Sequence, residues 1–69
     1  MLYTVQAQLS EVGLAARMAE MREWLDRHRY EPDLFQYRMN AEGALLRVDF
    51  KRESEAMAFA DAFGGSVLR

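Results

Sequence analysis

Between Ser10 and His28 the chain reads SEVGLAARMAEMREWLDRH, and this stretch restricts the fold more than any other. Leu14, Met18, Met21, Leu25 and His28 recur at spacings of three and four, whereas Arg17, Glu20, Glu23 and Arg27 fall on another side. The pattern predicts one long helix with a single apolar stripe. Such a helix is too polar to span a bilayer and too apolar on one side to stand alone in water, so the stripe requires a hydrophobic floor. The alternating segments before and after it are the available floor.

Upstream, Tyr3, Val5, Ala7 and Leu9 alternate with Thr4, Gln6 and Gln8, the pattern of a strand buried on one face and wet on the other. Ser10 offers a hydroxyl to the free N–H groups of a helix start, and Glu11 suits the positive end of the dipole, so Ser10 is the expected cap. Gly13 inside a helix costs about 1 kcal/mol relative to Ala, which favours a start one or two residues later. At the other end Arg27, His28 and Arg29 suit exposed carbonyls, and Pro32 prevents continuation. Trp24, at the flank of the stripe, is expected to seal the helix against a strand or loop.

Downstream, Phe35, Tyr37 and Met39 alternate with Gln36, Arg38 and Asn40, and Leu46, Val48 and Phe50 with Arg47 and Asp49. The link Asn40-Ala41-Glu42-Gly43 has hairpin length, with Gly43 free to adopt a left-handed conformation. A second helix follows, its expected cap Ser54 and its apolar face Ala56, Phe59, Ala60 and Phe63. Gly64 and Gly65 close it, leaving Ser66 to Arg69 for a short last strand.

Strand, helix, strand, strand, helix, strand is the split βαβ or ferredoxin-like plan. The expectation is therefore one α+β domain over residues 1–69, with a four-stranded antiparallel sheet in the order 4-1-3-2 and two helices on one face. Its expected core is Tyr3, Val5, Leu9, Leu14, Met18, Met21, Leu25, Phe35, Tyr37, Leu46, Val48, Phe50, Phe59, Phe63 and Val67, with Met39 on the same side.

Composition narrows the function classes. Hydrophobic residues at 51% against charged residues at 29% mark a folding chain, yet 69 residues lie near the lower limit for folding without a disulfide or metal. The chain has no Cys, which removes thiolate zinc sites, iron–sulfur clusters and cysteine catalysis and fits a reducing compartment. MLYTVQAQLS has neither the basic start nor the apolar run of a secretory signal, so the expected location is the cytoplasm. A net charge of −2 counts against a domain whose task is to grip nucleic acid.

The sheet face turned away from the helices is expected to show Thr4, Gln6, Gln8, Gln36, Arg38, Asn40, Arg47 and Asp49, with Leu2 and Leu45 at its margins. Gln6, Gln8, Gln36, Arg38 and Arg47 are the interaction residues this face would offer to a second copy, a peptide or a small anion. RNA-recognition domains of this plan carry aromatics there; ALLRVDF puts Phe50 on the opposite side with Leu46 and Val48. The run Asp26-Arg27-His28-Arg29-Tyr30-Glu31 holds the only His, but Asp26 and His28 are two apart and diverge on a helix, so His28 reads as the end of the stripe. One His with scattered carboxylates is no metal site, and no cofactor is implied. Of the five methionines, Met57 is the one expected to be exposed within an element.

The turn Ser10-Glu11-Val12-Gly13-Leu14 is similar, over these five residues, to the loop between the first strand and first helix of ACT domains. It departs from them at Ser10, where they favour an acidic residue, and at Val12, where they favour Pro. The resemblance implies a regulatory module that binds an amino acid or small carboxylate at Ser10, Glu11 and Gly13; helix N-termini attract such anions, although Glu11 is itself negative. The first expectation is different: a non-enzymatic interaction module, either a homodimer or the partner of another protein. Ligand sensing is the alternative, and nucleic-acid binding ranks below both. Catalysis is not expected, because no nucleophile, base and charge stabiliser converge.

Overall fold

The computed structural model describes residues 1–68. The elements are β1 (Tyr3–Leu9), α1 (Leu14–His28), β2 (Leu34–Asn40), β3 (Gly43–Phe50), α2 (Glu53–Phe63) and β4 (Ser66–Leu68). All strand pairs are antiparallel in one sheet ordered β2-β3-β1-β4. This is the ferredoxin-like arrangement. Its register stacks the inward residues in rows: Val67, Val5, Val48 and Phe35 form one row across all four strands, and Ala7, Leu46 and Tyr37 the next. Met21 and Leu25 of α1 and Ala56 and Phe59 of α2 join these rows in one buried cluster, so both helices lie on the same face.

Trp24 ties the two helices together. Its ring meets Tyr30, Phe59 and Phe63 edge to face, each with centroids 5.7 Å apart, and tilts over His28 at 4.2 Å. Edge-to-face contacts of this kind add about 1 kcal/mol each beyond the area they bury.

Both helix starts differ from the expected caps. Gly13 takes the cap position of α1 with φ 74°, and the Ser10 Oγ instead accepts the Val12 N–H at 3.2 Å, which closes a turn before the helix. Glycine reverses the chain at a φ that Ser10 would adopt only with strain, so the break falls at Gly13. Likewise α2 begins at Glu53 after Arg52, which leaves Ser54 inside its first turn; Glu53 and Glu55 face the dipole instead.

The ends are better marked. Gly64, at φ 75°, caps α2 and donates its N–H to the Ala60 carbonyl at 2.7 Å. In α1 the left-handed residue is Arg29, at φ 57°, with its N–H on Asp26 O and that of Tyr30 on Leu25 O. The two bonds form a Schellman closure ahead of Pro32. His28 is exposed and does not extend the stripe; its Nδ1 lies 3.1 Å from the Trp24 carbonyl oxygen, and its ring rests on Trp24.

In the hairpin, Asn40 pairs with Gly43, so the turn is Ala41-Glu42, and the Asn40 Oδ1 accepts the Glu42 N–H at 3.0 Å. Gly43 carries a φ of 134° and lies so close to the Leu9 carbonyl that a Cβ has no room. Tyr37 and Met39 depart from the expected core: each is 50% exposed, although both point to the helix side. They sit on the outermost strand, past the cover of the helices. The expected last strand includes Arg69, which lies outside the described residues.

Candidate interaction surface

The outer face is ordered by the same registers. Leu68, Thr4, Asp49 and Leu34 form one cross-strand row, Ser66, Gln6, Arg47 and Gln36 the next, and Gln8, Leu45 and Arg38 a third. Of the residues expected to act together, Gln6, Gln36, Arg38 and Arg47 do converge, lining with Leu45 and Tyr37 an open hollow of about 350 Å³. Gln8 stands apart from it. Its amide is spent on Asn40 in a reciprocal pair, Gln8 Nε2 to Asn40 Oδ1 at 3.2 Å and Asn40 Nδ2 to Gln8 Oε1 at 2.9 Å.

Arg47 and Asp49 are two apart on one strand, hence on the same side, and they form a fork: Nε to Oδ1 at 3.2 Å and Nη2 to Oδ2 at 3.1 Å. The Thr4 hydroxyl donates to the same Oδ1 at 2.7 Å. At 3% exposure Asp49 is the one buried charged residue among those described. The hydrogen bonds from Arg47 hold its carboxyl below the usual range, burial opposes them, and the Thr4 hydroxyl and the arginine's charge add to the depression. The arginine pKa is raised in return, mainly by the same hydrogen bonds. Arg38 is consequently the cation of this face that has no acidic partner among the described residues.

Leu34 and Leu68 were not foreseen on this face. The signal was present, because inward Phe35 and Val67 require their neighbours to point outward. Together with Leu45 they make the face more apolar than its glutamines suggest, and Leu68 is 45% exposed.

The order of strands leaves two edges. Among the described residues β4 spans three; β2 spans seven and is exposed from Gln36 to Asn40. An edge carries unpaired N–H and C=O groups, and β2 adds the uncovered side chains of Tyr37 and Met39.

The β1–α1 loop places Ser10 and Gly13 on a second hollow of about 460 Å³, shared with Arg17, Glu20 and Phe63. Glu11 does not line it; its carbonyl receives the Leu14 N–H at 3.3 Å. The charge of Arg17 is already engaged, 3.4 Å from Glu20 and 5.0 Å over the Phe63 ring. Among the described residues no three His, Asp or Glu gather as metal ligands, and no helix is long and apolar enough to cross a membrane. Comparison with protein-family models, with curated proteins and with solved structures finds no match.

Proposed function

We propose that this protein is a non-enzymatic association module whose partner is a second copy of itself, joined along β2. The observation that supports the reading is the state of that edge. Sheet edges are ordinarily guarded by shortness, Pro, inward charges or a covering element. β2 meets none of them: its sequence LFQYRMN has no Pro, one charge, and two large apolar side chains left half exposed on the helix side. A two-fold partner supplies backbone partners and cover at once, and it closes the assembly without generating filaments. The absence of Cys suits a cytoplasmic setting for this work.

Sedimentation equilibrium from micromolar to several hundred micromolar protein tests the proposal. The expected result is a mass rising toward twice the 8.0 kDa of the chain. A mass of one chain throughout would remove the proposal. The alternative, sensing of an amino acid or small carboxylate at the β1–α1 loop, draws on the hollow that Ser10 and Gly13 share with Arg17. Titration with glycine and acetate would then move the amide resonances of Ser10 to Leu14, and unmoved resonances would eliminate that role for those ligands.

A further inference from the structure

We infer that the two copies pair β2 with β2, antiparallel, in the register that places Tyr37 on the two-fold axis. The inference rests on the association proposed above and specifies its geometry. When an antiparallel strand meets its own copy, the axis passes either through a residue or between two. An axis between residues would set consecutive positions opposite each other, an inward side chain against an outward one, and break the continuity of both sheet faces. The axis therefore passes through a residue, and outward backbone groups then meet outward ones whichever residue it is.

The residues of β2 choose among the remaining registers. An axis through Arg38 would set two guanidinium groups directly opposite each other, although neither has an acidic partner among the described residues. An axis through Gln36 brings Met39 against Asp33 and leaves Asn40 beyond the paired strand. Tyr37 is the midpoint of Leu34–Asn40, so an axis there pairs all seven residues. Arg38 then faces the Gln36 amide of the other copy on the outer side, where it finds an acceptor. On the helix side Phe35 meets Met39, a favourable sulfur–aromatic pair, and the two Tyr37 rings cover each other. The side chains that α1 leaves exposed, Tyr37 and Met39, are those that this register covers.

The register is tested by isotope-filtered NOE spectroscopy on a mixture of labelled and unlabelled wild-type protein at a concentration where sedimentation shows the dimer. Cross-peaks of Tyr37 with Tyr37 and of Phe35 with Met39 between copies are expected. Because the chain has no Cys, single substitutions provide a second readout. Tyr37→Cys should oxidise to a disulfide-linked dimer at least tenfold faster than Gln36→Cys or Arg38→Cys alone, whereas those two mixed should cross-link to each other. Intermolecular contacts centred on another residue, or lying outside β2, overturn the register while the dimer stands. A monomer at every concentration overturns the association reading itself.

Discussion

β2 and β3 are the two arms of one hairpin and carry the same alternation of apolar and polar residues, but their inward faces meet opposite fates. Ala44, Leu46, Val48 and Phe50 of β3 are each 0% exposed; Tyr37 and Met39 of β2 are each at 50%. The difference is position. β3 has a strand on both sides and lies beneath the helices, while β2 has one neighbour and is covered at its Phe35 end, where the Arg22 guanidinium sits 5.1 Å from the ring. Alternation thus encodes that a strand has two unlike faces and leaves open what covers each. Burial is concentrated in β3, and the uncovered apolar side chains in β2.

Side-by-side truncation would break or sharpen that contrast. Phe50→Ala removes a fully buried ring beside Phe59 and should cost about 4 kcal/mol in urea unfolding, a large share of the stability of a chain of this size. Tyr37→Ala, measured in dilute solution where the chain is monomeric, should cost less than about 1 kcal/mol. Equal losses at the two sites would mean that β2 is part of the core after all.

A second test separates the outer face of β3 from the edge. The folded-state pKa of Asp49 lies below its unfolded value, so the stabilisation is complete above the unfolded pKa of about 4 and disappears as pH falls through the folded pKa. Arg47 is about half exposed, so solvent screens the pair and keeps its contribution small. Between about pH 6 and about pH 2, urea unfolding should show wild type losing more stability than Asp49→Asn. Identical losses would mean that the Arg47 fork does not stabilise the fold.

The smallest effect concerns the route into β2. Arg29 occupies a left-handed conformation that glycine adopts without the penalty of a Cβ, so Arg29→Gly should raise the free energy of unfolding by up to about 1 kcal/mol. A destabilised variant would show that the Arg29 side chain contributes more than its backbone strain costs.

The element order and the closing role of Gly64 were legible in the sequence because each depends on local chemistry: alternation, helical spacing, and the one residue that tolerates positive φ; the sheet order followed from the ferredoxin-like plan that this element order matches. The caps at Ser10 and Ser54 were misplaced for a local reason too. A hydroxyl suits a turn as readily as a helix start, and Gly13 and the short link through Lys51 and Arg52 decided where the helices begin. Exposure of Tyr37, Met39 and His28 was not legible, since it depends on how far a helix reaches over an edge. Of the candidate site, the meeting of Gln6, Gln36, Arg38 and Arg47 followed from alternation, whereas the loss of Gln8 to Asn40 and of Arg47 to Asp49 required the register.

The contrast between the two arms is tested most directly by amide hydrogen exchange, read residue by residue at several protein concentrations. β3 amides should exchange slowly and at rates independent of concentration, because β1 and β2 hold that strand on both sides. The β2 amides that do not pair with β3 should exchange quickly in dilute protein and become protected as concentration rises. Protection of Leu34 to Asn40 that stays the same across that range would contradict the account.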